Sequence, residues 1–335
     1  MTSIIGFCLI AGMLFAYTLL DGYDLGAAAM APLVAKARSE RSAIVESIAP
    51  FWSGNEVWLV AAGGALFAIF PKAYAVSFSG FYLPFIIVLW LLMFRGIAIE
   101  LRAHLPGDMW MDFWDVAFSA SSALLILLFG VAFGNLVRGL PLDADGYFTG
   151  TFSSLLNPYS LAVGVLAIVA LGQHGLAYVA CSVEGTLGER ALRYSGRIWW
   201  LVLGLYVAVS AATIAGRYAG PATPLLAVAA SALAFVALVL VAVFARRRKP
   251  GAAFRASVVF LSGLLVAAAA TMYPYLIRPA PGGSGGLTIF EGAPAPSTLA
   301  YTLAIAIVGL ALVIGYSHFV RQRMSVAVTV LDERT

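Results

Sequence analysis

Charge is the scarcest commodity in this sequence. Only 11% of its 335 residues are Asp, Glu, Lys or Arg, against roughly 25% in soluble domains, which excludes an ordinary water-soluble globule. Cysteine is nearly absent as well: Cys8 and Cys181 belong to no CxxC pair and have no metal-type neighbour, so both read as small apolar packing residues. The glycine cluster in "RPAPGGSGGLTIFEGAPAPST", 278–298, contains no GK[ST] and follows no strand, so it reads as a flexible connection and not as a phosphate cradle.

What is present is apolar sequence. Hydrophobic residues make up 62% of the chain, and a helix that crosses a bilayer needs about 20 of them in a row. Nine stretches qualify: 4–34, 52–70, 76–100, 113–136, 156–181, 197–217, 223–245, 254–275 and 298–320. The expectation is an all-α integral membrane protein with about nine transmembrane helices and one polytopic domain, residues 1–335. The first stretch has no basic residues before it and no small-residue cleavage site, so it reads as a retained helix and not as a signal peptide. "GMLFAYTLLDG" in the first helix and "GVLAIVALGQHG" in the fifth share a spacing that ends on Asp21 and Gln173. Such a repeat would divide the chain into two four-helix bundles, 1–140 and 150–275, with a peripheral helix at 298–320.

The net charge of +4 would suggest a nucleic-acid partner in a soluble protein. Here the basic residues report orientation instead, and no nucleic-acid partner is expected. With nine helices and an outside N-terminus, only Lys72, Arg138, Arg217 and Arg278 of the 20 basic residues fall outside. The other sixteen fall inside, as the positive-inside rule requires, which gives an N-out, C-in topology.

Polar residues within the spans carry the chemistry. An acid at the centre of a membrane helix costs about 2.5–3.5 kcal/mol on insertion scales, so it needs a partner, water or a function. "LLDGYDLG" places Asp21 and Asp24 on one face of the first helix, in its inner half. The second helix has only 14 residues from Val57 to Phe70, about 21 Å of rise. It therefore starts near Trp52, and bilayer thickness draws Ser53, Asn55 and Glu56 inward. The third helix ends in "MFRGIAIELR", which brings Arg95, Glu100 and Arg102 to the same level. Two readings of this charged cluster stand: an ion-pair network that fixes three helices in register, or a route by which protons enter.

His174, in "LGQHGLAY", is the one histidine deep within a span, and it reads as a haem ligand, a proton carrier or a hydrogen-bonded strut. His104 and His318 lie in a loop and at an interface, so no two histidines can face each other across a haem. The tryptophans mostly lie at span ends, as an interfacial belt does; Trp58 lies a turn inside the second helix.

Several blocks together resemble subunit II of cytochrome bd-type quinol oxidases, the cyanide-insensitive branch included. They are "DGYDLG" at 21–26, "SIAPFWSGNEVWLVAAGGALFAIFPKAYA" at 47–75, "SGFYLP" at 79–84, "GVAFGNL" at 130–136 and "LNPYSL" at 156–161. "YPY" at 273–275 and "LTIFEGAPAPSTL" at 287–299 extend the likeness over nearly the whole chain.

The resemblance implies a heterodimeric enzyme of the bacterial plasma membrane that oxidises ubiquinol or a related quinol and reduces O₂ to water in aerobic respiration. It implies two haem b and one haem d in the partner, subunit I, and a haem-free, pseudo-symmetric subunit II that binds no cofactor alone. A small single-helix third subunit is left open. Asp21 and Asp24 match acids of the family. The family pattern near 52–58 resembles W-D-G-N-[EQ]-V-W, whose acid is linked to proton delivery; this chain has Ser53 there, leaving Asn55 and Glu56 as the polar neighbours and Glu56 as the substitute acid. Trp58 matches the motif's tryptophan and by analogy lines an O₂ route, with plain helix packing as the alternative. Two rival classes remain at this level: a proton-coupled secondary transporter with a substrate site inside the chain, and an independent membrane haem protein using His174.

Overall fold

The structure, a computed structural model, describes residues 2–324 except 103, 106, 217, 219–223, 284 and 293–295. Arg217 and Arg334, which entered the orientation argument, lie outside the described residues, as do residues 293–295 of the "LTIFEGAPAPSTL" block.

The chain is a bundle of long helices, because the bilayer offers no water to satisfy backbone N–H and C=O groups and a helix satisfies its own. In chain order they are α1 Thr2–Val34, α2 Arg38–Ile48, α3 Trp52–Ile69, α4 Pro71–Gly80, α5 Tyr82–Leu101 and α6 Asp108–Arg138. Then come α7 Phe152–Leu155, α8 Pro158–Ser182, α9 Thr186–Ala215, α10 Pro224–Arg246, α11 Pro250–Met272 and α12 Pro296–Met324. Two short strands, β1 Tyr275–Ile277 and β2 Leu287–Thr288, pair antiparallel within the connection before α12. Among the described residues, 8 helices are long and apolar enough to cross a membrane. α3 is not one of them: its 18 residues begin with the polar turn that holds Ser53, Asn55 and Glu56.

Boundaries shift where local chemistry intervenes. Pro71 cannot continue α3 and instead opens α4 at its first position. The predicted stretch 76–100 is therefore split at Phe81 into the end of α4 and the whole of α5. α9 begins eleven residues before the apolar run at 197, because "TLGERALRYSG" is itself amphipathic helix. Between α1 and α3 the chain forms α2, a short helix whose Ala43, Ile44 and Ile48 face the core. Cys8 and Cys181 are free and exposed on the helix surfaces, not in the packing role expected of them.

α1 and α8 stand at the centre. Asp21 through Ala28 are buried without interruption, and so are Ala170 through Ala177. The two runs face each other at a contact only glycine permits. A Cβ on Gly26 would lie 1.9 Å from the Leu171 carbonyl oxygen, and one on Gly175 would lie 2.1 Å from the Ala27 nitrogen. Around this axis α3 and α6 pack on α1, α5 on α6, α9 and α11 on α8, and α10 on both α9 and α11. α12 lies against α3. Two of the motif blocks meet at the far end of α6: Asn157, the N-cap of α8, donates to Asn135 Oδ1 at 2.9 Å, and Asn135 donates to the Leu155 carbonyl at 2.8 Å.

Candidate functional site

The site lies where α1, α3 and α5 converge. Its centre is Arg95, wholly buried on α5, and the long guanidinium reaches α1 because Val88, Arg95 and Ala98 form the inward stripe of that helix. Arg95 Nη1 donates to Asp21 Oδ2 at 3.1 Å and Nη2 to Asp21 Oδ1 at 2.5 Å, a bidentate pair. Asp24 Oδ2 lies 4.0 Å from Nη2, and Glu56 Oε2 on α3 lies 3.7 Å from Nη1. Asp21 and Asp24 are fully buried, whereas the Glu56 side chain keeps 22% of its surface.

Asn55 fastens α3 to α1. Its amide nitrogen donates to Asp24 Oδ2 at 2.7 Å, to the Tyr23 hydroxyl at 2.9 Å and to the Leu20 carbonyl at 3.3 Å. Trp52, at the first position of α3, sets its ring 5.9 Å from the Arg95 guanidinium. A side chain at Gly96 would meet that ring at 3.2 Å, so glycine makes the approach possible. Trp58, six residues further along α3, is buried with Ile10, Met13, Tyr17 and Ala62. Its indole nitrogen and Arg95 Nε are both buried donors without a protein acceptor.

The structure thus brings together Asp21, Asp24, Asn55, Glu56 and Arg95. Three other predicted members sit elsewhere. Ser53 is exposed in the first turn of α3 and joins none of these contacts. Glu100 is exposed near the end of α5. Arg102 belongs to a second cluster: its Nε donates to Asp115 Oδ1 at 2.5 Å and its Nη1 to Ser42 Oγ at 2.9 Å. Arg41 joins Asp115 and Asp112, each at 3.3 Å, and Arg38 pairs with Asp108.

His174 is fully buried on α8. Its Nδ1 meets Ser257 Oγ at 2.7 Å, its Nε2 donates to the Leu19 carbonyl at 3.1 Å, and its ring stacks on Phe254. Both ring nitrogens are thereby engaged in hydrogen bonds within the protein. Among the described residues no group of three or more His, Cys, Asp or Glu could hold a metal ion.

The sequence reading missed a third ionic contact. Arg190 on α9 donates to both carboxyl oxygens of Glu40, at 2.8 and 3.0 Å, and to the Val34 carbonyl at 2.5 Å, closing the turn after α1. Burial pushes the Glu40 carboxyl up, but the Arg190 bond and the backbone N–H groups of Lys36 and Ala37 outweigh it and hold the group below its ordinary value. The capping position of Glu40, three residues after Ala37, was the available signal.

Residues 2–322 match the family described as cytochrome bd terminal oxidase subunit II. The chain belongs to that family. It is 31% identical to a protein of Haemophilus influenzae named probable cytochrome oxidase subunit 2, over 94% of this chain and 92% of the other. It is 30% identical to the cytochrome bd-I ubiquinol oxidase subunit 2 of Escherichia coli K12, over 97% of this chain and 94% of the other. Its fold matches a chain of the bd oxidase from Geobacillus thermodenitrificans with a TM-score of 0.77 at 19% identity, covering 96% of this chain and 98% of that one. As subunit II of a bd-type terminal oxidase, the chain is a multi-pass protein of the bacterial inner membrane. It works with subunit I in a haem-bearing quinol:O₂ oxidoreductase and is not a transporter.

Proposed function

We propose that this chain is the haem-free half of its oxidase, holding subunit I in place and contributing a proton route through the cluster around Arg95. In this reading subunit I carries two haem b and one haem d, and ubiquinol or a related quinol supplies the electrons. The carrying observation is charge imbalance: one guanidinium faces the carboxyls of Asp21 at 2.5 Å and Glu56 at 3.7 Å, with Asp24 beside them. Buried like charges are disfavoured, so a proton is the natural balance when two carboxyls share one guanidinium. Glu56 is the member with exposed surface and so the point where water reaches the cluster, in the role the family motif gives to the acid replaced by Ser53. Trp58 Nε1 and Arg95 Nε, buried donors without acceptors, are positions a water chain would serve. The apolar packing of Trp58 is equally compatible with an O₂ route toward subunit I.

The N-out, C-in topology and the two-bundle division belong to the same reading. A two-fold relation that sets Asp21 on Gln173 exchanges the Gly26–Gly175 approach with a Tyr23–Tyr178 contact, and those rings stack at 4.1 Å. α1, α3, α5 and α6 would form one bundle, α8 to α11 the other, and α12 the periphery.

The test is Glu56→Gln in the assembled complex. O₂ consumption should fall at least about tenfold, since positioned proton transfer is worth that or more, while haem content stays normal. Unchanged turnover would reduce Glu56 to a structural residue.

A further inference from the structure

We infer that the turn between α10 and α11, with the adjoining surface of α9, is a binding site for the headgroup of an anionic phospholipid. "ARRRKPG", 245–251, puts four consecutive cations on the turn, and Arg246, Arg247, Arg248 and Lys249 are all exposed. Two further arginines join them. Gly196 packs against Ala245, where an added Cβ would meet the alanine Cβ at 3.4 Å, so the adjacent Arg197 of α9 lies beside the turn. Arg255, exposed on the first turns of α11, flanks its other side.

No ion pair among the described residues involves any of these six, whereas the neighbouring Arg193 is paired with Glu189 at 3.4 Å. Six exposed cations that join no described ion pair, four of them on the turn itself, are complementary to a phosphate-bearing membrane surface.

The backbone gives an independent sign. Arg248 has φ 52°, the left-handed region that glycine occupies without strain. The Lys249 nitrogen closes this helix end on the Phe244 carbonyl at 3.0 Å. A turn built for glycine that carries arginine keeps a charge where local conformation disfavours the residue. Exposed apolar side chains adjoin the patch, Trp200 and Leu201 on α9 and Leu240 on α10, a surface suited to acyl chains below the headgroup. The site requires only that the turn lie at a membrane surface, whichever surface that is.

The assembled complex carrying Arg246→Gln, Arg247→Gln, Arg248→Gly and Lys249→Gln should retain at least about tenfold less phosphatidylglycerol, counted by native mass spectrometry, since each cation near an anionic surface contributes measurably. Bound phosphatidylcholine should not change. Equal phosphatidylglycerol in the variant and the unmodified complex overturns the proposal. A second measurement needs no variant: the delipidated, unmodified complex should survive longer at elevated temperature with phosphatidylglycerol than with phosphatidylcholine of the same chains. Equal protection by the two lipids, no protection, or protection matched by inorganic phosphate alone each overturns it.

Discussion

Arg95 is the most exacting place to perturb this protein. Arg95→Gln removes the guanidinium that lies within 4.0 Å of Asp21, Asp24 and Glu56, and Arg95 and both aspartates have no exposed side-chain surface. Breaking a buried pair from one side costs about 3–5 kcal/mol, because the abandoned charge stays buried. Asp21→Asn is gentler. It forfeits the bidentate bonds but leaves the guanidinium with Asp24 at 4.0 Å and Glu56 at 3.7 Å, and we expect about 2 kcal/mol. The double variant should cost less than the sum by at least about 1.5 kcal/mol, since contacting residues couple on that scale. Complexes of this kind inactivate irreversibly, so the observable is the half-life of the assembled oxidase at fixed temperature. Arg95→Gln should shorten it on the order of a hundredfold, and adding Asp21→Asn should recover part of that loss. Half-lives that multiply independently, or an Arg95→Gln complex as durable as the parent, would refute a cluster held by this one cation.

Two further outcomes follow from the geometry. His174→Leu should leave every haem absorption band of the complex in place, because Ser257 and the Leu19 carbonyl occupy both ring nitrogens; it should cost about 1–3 kcal/mol through the groups it strands, and loss of a b-type band would contradict the assignment. Glu40→Gln should cost about 2 kcal/mol at neutral pH. Since the folded carboxyl titrates below its ordinary value near 4.5, the contribution is complete above that value and fades as pH drops through the folded one. The half-life gap between parent and variant should therefore narrow in acid, and a gap that widens would be the wrong sign.

The fold was legible because lipid imposes one rule on every span, and a run of twenty apolar residues announces itself. The polar members of the site were legible for the opposite reason: Asp21, Asp24, Asn55, Glu56 and Arg95 interrupt such runs, and matching their depths across three helices brings them together. Depth alone could not say which way a side chain turns. Arg102 lies near the predicted level yet turns to Asp115 and Ser42, and Ser53 stays exposed while Asn55, two residues on, is buried. The Arg190 clamp on Glu40 was hidden because the two residues stand 150 positions apart, with no periodic trace of the contact in the chain between them. α2 was hidden because eleven residues with alternating charge look like a loop when hydropathy is the guide.

The glycine pair at the centre has a mechanical consequence. Where Gly26 and Gly175 meet, main chain presses on main chain with no side chain between to re-pack. Rocking of α1 against α8, of the kind alternating-access carriers need between their halves, would have to tear that weld instead of sliding along it. A companion subunit in a haem-bearing complex gains from leaning on a strut of this kind.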